Sequence, residues 1–194
     1  MARQYEMSGR AAAMQHTRET ILDAAVELFE PAWFDEVTLA DIARRAGVSQ
    51  QTVVNHFGTK LDLYLTGLGE RFAPGIREVR GAAVPGDVVS IVDTVVRDYE
   101  VTGDGTIRTI ALAGRMPELA PVVEGGRRAH RDWVASVFAP LLSRRRGKVR
   151  ERQQRLLCVA LDVTTWRQLR RDEGLDPEDT RAHLQALVEG VLSL

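Results

Sequence analysis

The sequence predicts an all-α fold, and three observations predict it. Apolar residues recur at helical spacing along the chain, as in Ile21/Leu22, Ala25 and Leu28/Phe29. Capping residues stand at the head of such stripes, at Thr38, Ser49, Thr59 and Asp176. No segment shows a convincing alternation of apolar and polar residues with the period of two that a half-buried strand needs.

Composition sets the bounds. The 194 residues allow one ordinary domain or two small ones, and a 44% hydrophobic content supplies a real core. Lys+Arg number 26 and Asp+Glu 27, a formal charge of -1, so no global basic field advertises nucleic acid or a membrane surface. No apolar run approaches the roughly 20 residues that a spanning helix needs. The N-terminal MARQYEMSGRAAAMQHT lacks the apolar core of a secretory signal. The single cysteine, Cys158, cannot form an internal disulfide, and a metal site built on cysteines is excluded. A cytoplasmic protein with no membrane association is expected.

The elements follow in order. Residues 1–15 are small and polar, with Arg3 and Arg10, and read as a flexible arm; the alternative is an extension of the first helix. Thr17 caps the first helix, Glu19 suits the positive end of its dipole, and Pro31 ends it. Thr38 with Asp41 forms a capping box for a second helix, stopped at Gly47. Ser49 caps the third. Thr59 with Asp62 repeats the box and starts a fourth, through Leu61, Tyr64, Leu65, Leu68 and Phe72, until Pro74-Gly75 kinks or breaks it. GAAVPGD, residues 81–87, reads as the linker, giving one domain at 16–76 and another at 81–194. Beyond it the pattern predicts a helix near 87–101, a break at Gly103-Asp104-Gly105, a short helix near 106–115 and a longer one near 118–143. The run RRRGKVRER, 144–152, reads as a solvated loop. A further helix begins at Leu156 and runs through Val159/Ala160, Val163 and Trp166, and Asp176-Pro177 opens the last.

Two helices joined by a tight Gly-containing turn describe a helix-turn-helix, whose second helix enters the major groove. Ile42, Ala43, Ala46, Val48, Val53 and Phe57 can pack against Leu22, Ala25 and Phe29. Gln50, Gln51, Thr52 and Asn55 are then left on the outward side of the third helix. Gln and Asn match adenine in a bidentate fashion at its major-groove edge. His56 and Lys60 suit phosphate contacts, the helix N-termini at Ser49 and Thr59 offer backbone N–H groups to an anion, and Thr38 is a further candidate for contact with DNA. Charge gives little help, since residues 1–60 carry six basic and eight acidic side chains. On spacing alone an ordinary helical hairpin fits as well.

The segment VTLADIARRAGVSQQTVVNHFGTKLDL resembles the N-terminal DNA-binding domain of TetR-family transcriptional regulators. The match rests on Thr38, Ile42, Ala43, Ala46, Gly47, Val48, Ser49, Thr52, His56, Phe57, Lys60 and Leu63. The resemblance implies a first domain of three to four helices. It also implies a helical second domain that binds a ligand and forms a homodimer, and the usual role is that of a repressor. Three positions depart from the pattern. Val54 stands where the family has a Tyr that contacts phosphate, Gln51 where it often has Gly, and Trp33 where a Gly follows the first helix.

In the second half, Leu184, Leu187, Val188, Val191 and Leu192 form an apolar stripe. Beside it Ala182, Ala186 and Gly190, spaced by four, let another helix approach closely. Together with Leu157 and Leu161 these residues predict a four-helix dimer interface, and hence a near-palindromic site on double-stranded DNA. Tyr99, Arg115, Met116, His130, Trp133, Phe138 and Trp166 are the candidates for holding an apolar or amphipathic small-molecule effector. No metal or other cofactor is expected. An enzyme is not expected either, because no HExxH, nucleophile elbow, phosphate loop or paired-carboxylate motif is present. A helical adaptor, or an enzyme with another role for the first domain, is the competing reading.

Overall fold

The computed structural model describes residues 2–194, with side-chain surroundings for Gly9 and residues 11–194. The expectations for Met1, and for the side chains of Arg3 and Arg10, lie outside the described residues. Among the described residues every regular element is helical. The chain divides into two compact units, Met1–Pro74 and Gly75–Leu194. That division falls a few residues before the GAAVPGD stretch.

The first unit is built from α1 (Ala2–Phe29), a 3-10 turn at Phe34–Glu36, α2 (Leu39–Ala46), α3 (Gln50–Phe57) and α4 (Lys60–Gly67). The stretch read as an arm belongs to α1. Ala11, Ala12 and Ala13 are strong helix formers, and no proline interrupts them. Thr17 is therefore not a cap: its hydroxyl donates to the Ala13 carbonyl at 3.0 Å, one turn back. The other caps stand where the sequence puts them. Thr38 accepts from the Asp41 N–H and Asp41 reaches back to the Thr38 N–H, and Thr59 and Asp62 repeat the exchange. Gly47 closes α2 at φ 69°, a left-handed position that glycine takes without strain. Trp33 sits extended, at φ -74° and ψ 148°, so the exit from α1 needs no left-handed residue at that position.

The core of this unit gathers Ile21, Leu22, Ala25 and Phe29 of α1 with Ile42, Ala43, Val53, Phe57, Leu63 and Tyr64. Phe34 stacks on Phe29 with centroids 5.8 Å apart, and Tyr64 meets both rings edge-on. Gly67 lets α4 approach α1, since a Cβ there would stand 3.3 Å from Val26 Cγ2.

After α4 the helical run does not break. It widens into a π turn at Leu68–Phe72 and continues as α5 (Ala73–Gly81). Ala73 N–H donates to the Leu68 carbonyl, five residues back. Pro74 has no N–H to offer the ladder, and the wider turn before it shifts the bonding register.

The second unit adds α6 (Val88–Ala113), α7 (Ala120–Val137), α8 (Gly147–Ala160), α9 (Val163–Arg167) and α10 (Pro177–Leu192). Four expectations are corrected here. Gly103-Asp104-Gly105 is no break: α6 runs through it, because Gly103 is where Trp166 lies against the helix. A Cβ on Gly103 would stand 2.3 Å from Trp166 Cζ3. Most of the basic run 144–152 is not loop, since α8 begins at Gly147 and only 144–146 connect. The helix expected through Trp166 divides at Leu161, and Asp162 caps α9 by accepting from the Thr164 N–H at 2.9 Å. The long helix near 118–143 stops at Val137 and is followed by turns.

Candidate nucleic-acid interface

α3 is only eight residues long, and two of them point inward. Val53 is fully buried and Phe57 nearly so. Gln50, Gln51, Val54 and Asn55 are exposed, with Thr52 and His56 half-buried beside them. The predicted amides therefore share the outward side of the helix. Gln51 Nε2 donates to Asn55 Oδ1 at 2.9 Å, one turn apart. This pairing leaves Gln51 a carbonyl oxygen and Asn55 an NH2 group, the acceptor and donors that an adenine edge calls for. Ser49 caps α3, accepting from the Thr52 N–H at 3.1 Å while its hydroxyl meets that of Thr52 at 2.8 Å. α3 carries no acidic side chain.

Glu19, Asp23 and Glu27 of α1 are neutralised locally. Arg71 pairs with Glu19 and Asp23, Arg45 pairs with Glu27, and Arg18 holds Glu70 through two bonds of 2.9 and 2.7 Å. The hydrogen bonds from Arg18 hold the Glu70 carboxyl below its ordinary range. The Thr38 hydroxyl, followed by Arg44, does the same for Asp41.

Lys60 departs from expectation. Its ammonium donates to the carbonyls of Phe34 at 2.8 Å and Val37 at 2.9 Å, and lies 4.1 Å from the Phe34 ring centre. The side chain ties the 3-10 turn to α4, so it is not carried forward as a phosphate contact. The reason is local: the turn's carbonyls lack helical partners, and a cation is the donor that reaches them.

The same segment carries a likeness to known proteins. Residues 21–66 match the model for bacterial regulatory proteins of the tetR family. The first unit therefore carries a segment similar to the tetR-family regulators. Among its relatives, the HTH-type transcriptional regulator SrpR of Pseudomonas putida is 41% identical over 64 residues, 33% of this chain and 30% of SrpR. Across four curated relatives the shared stretch spans 29–48% of the relative's own length. Two solved structures carry the likeness of fold over nearly the whole chain. A transcriptional regulator from Rhodococcus sp. Rha1 is 17% identical, with a TM-score of 0.71 over 91% of this chain and 96% of that one. The SmeT–triclosan complex is 19% identical, with a TM-score of 0.62 over 92% and 90% of the two chains.

The aromatic candidates of the second unit lie within or against its core. Trp166 is fully buried, and its indole N–H donates to Glu100 Oε1 at 3.1 Å. The Tyr99 hydroxyl donates to the Leu161 carbonyl at 3.2 Å, and burial pushes its pKa up to about 12. Trp133 is half-buried and donates to the Arg80 carbonyl at 3.0 Å. Phe138 is buried outright. Arg80, which the sequence reading missed, binds this group together. Its guanidinium lies 4.9 Å from the Tyr99 ring centre and 4.5 Å from that of Trp133, and bonds to buried Asp98 at 2.6 Å. Nothing in the local pattern marks Arg80, because its partners are 18 or more residues away.

His130 is drawn to the Cys158 carbonyl, 3.0 Å from Nε2, while its buried Nδ1 has no protein partner. Burial lowers its pKa and favours the neutral ring. Arg115 and Met116 stand just beyond α6, Arg115 exposed and Met116 half-buried.

The interface candidates separate into two groups. Leu157 and Leu161 are fully buried in the unit's own core, so they are corrected: α8 packs on α7 and α10 within the protomer and leaves neither side chain for a partner. Ala182, Ala186, Leu187 and Gly190 are exposed along α10.

Proposed function

We propose that this chain is a homodimeric, DNA-binding transcriptional regulator that reads base edges in the major groove with Gln50, Gln51 and Asn55. The observation that carries this reading is the outward face of α3, three amides on a helix capped at Ser49 and free of acidic residues. Thr38, Ser49, Thr52 and His56 flank that face and fix its position on phosphates. Exposed Ala182, Ala186, Leu187 and Gly190 form the seam for a second copy, which makes the DNA site roughly palindromic. Release from that site follows binding of an apolar or amphipathic small molecule in the second unit. Support for the effector comes from the SmeT complex with triclosan and from the unpartnered Nδ1 of His130, a buried polar atom that a ligand group would satisfy. Moving a mixture from 99:1 to 1:99 takes about 5.5 kcal/mol of differential affinity, which sets the scale for complete release.

The test is selection of duplexes from a randomised pool, followed by gel shifts on the enriched site and on random DNA. Each of Gln50→Ala, Gln51→Ala and Asn55→Ala is expected to cost about 1–3 kcal/mol on the enriched site and little on random DNA. Equal losses on both would reject base reading by these amides.

A further inference from the structure

The base-reading face of α3 holds one side chain that can neither donate nor accept a hydrogen bond. Val54 is 36% exposed, and it follows Gln50 and Gln51 by four and three residues. That spacing puts all three on one side of the helix. Val53 and Phe57 take the buried side, so Val54 is not turned toward the core. A lone exposed valine needs no explanation on most surfaces. Here it stands within the short outward face that carries the amides.

We infer that Val54 is a specificity residue that packs on the C5-methyl group of a thymine in each half-site; this rests on the proposed DNA reading. The major-groove edges of the four bases carry donors and acceptors, and one apolar group among them, the thymine methyl. A valine set against a donor or acceptor would desolvate it without replacing its bond, so the methyl is the edge that the side chain fits. The side chain is also stiff. A β-branched residue in a helix holds a single strongly preferred χ1, so its methyls are already in place before DNA arrives. The Gln51–Asn55 hydrogen bond fixes one flank of the valine in the same way. The thymine therefore lies beside the bases that Gln50 and Gln51 read.

The experiment uses the full chain and a duplex selected from a randomised pool. Each thymine of the enriched site is replaced in turn by deoxyuridine, which removes the methyl and changes no hydrogen-bonding group. One thymine per half-site is expected to weaken wild-type binding by about fourfold when replaced, the effect of burying one methyl. Val54→Ala is expected to bind the thymine and deoxyuridine duplexes equally at that position, while keeping the ordinary penalties elsewhere. Val54 is on the surface, so the variant keeps its fold, and its far-ultraviolet circular dichroism checks that. An enriched site with no methyl-sensitive thymine would overturn the inference and leave DNA reading intact. A sensitive thymine whose penalty survives in Val54→Ala would overturn it too. A pool from which no sequence is enriched would overturn both.

Discussion

Lys60 illustrates how one side chain's hydrogen bonds decide its role. An ammonium has three hydrogens, and two of those on Lys60 are committed to the Phe34 and Val37 carbonyls. Its charge also faces the Phe34 ring, itself stacked on Phe29 of the core. Lys60→Met keeps the aliphatic stem but removes the donor from two carbonyls. The expected loss of stability is roughly 1–3 kcal/mol, the range for bonds to a charged group in a partly buried place. Denaturant unfolding monitored at several wavelengths measures it. The salt dependence of DNA binding is expected to hold its slope in this variant. A slope shallower by about one unit per subunit, with stability unchanged, would return Lys60 to the phosphate backbone.

At the scale of elements, Gly103 poses a contest between two effects of opposite sign. Alanine in a helix interior is better than glycine by about 1 kcal/mol, so a glycine that merely interrupts α6 should be improved by replacement. Against this stands Trp166, whose ring atoms would lie 2.3, 2.6 and 2.8 Å from the new Cβ. The ring cannot easily give way: it is fully buried, bonded through Nε1 to Glu100, and covered by the Arg171 guanidinium 4.8 Å from its centre. Gly103→Ala is expected to destabilise the protein by about 1–3 kcal/mol, with a shift in tryptophan fluorescence. Gly125 and Gly126 of α7 have open space at the Cβ position, so Ala there is expected to stabilise by about 0.5–1 kcal/mol. A stabilising Gly103→Ala would show that Trp166 does not hold α6. The same pair of residues shows what the sequence could reveal. Caps at Thr38, Ser49, Thr59 and Asp176 were legible because each is completed within three residues. The amide face of α3 was legible for the same reason, because helical spacing alone turns it outward. Gly103 was read as a break because its partner is 63 positions away. Leu157 and Leu161 were read as interface because spacing gives an apolar line and does not say which helix covers it.

For the whole molecule the decisive question is what covers the exposed side of α10. Among the described residues nothing requires small side chains there: Ala182 and Ala186 are exposed, and a Cβ on Gly190 would meet no atom within 4 Å. Leu187, 46% exposed, adds apolar surface to the same helix. On the proposed function, a second α10 crossing closely at this seam would account for both features, and a two-fold axis would present one α3 to each half-site. Successive major grooves on one side of the duplex lie about 34–36 Å apart, so the axis must hold that separation. Ala186→Arg places a long charged side chain on the seam without touching the protomer's core. Sedimentation is expected to show a dimer for the wild type and a monomer for the variant. Binding should then separate by site. A tethered second contact raises apparent affinity by roughly 10²–10⁴ over a single one, and the variant is expected to lose that factor on the full palindrome. On an isolated half-site the two proteins are expected to bind alike, since α3 is untouched. A variant that remains dimeric and keeps its affinity for the palindrome would move the interface off α10, and the geometry of the two reading helices would have to be sought on another face.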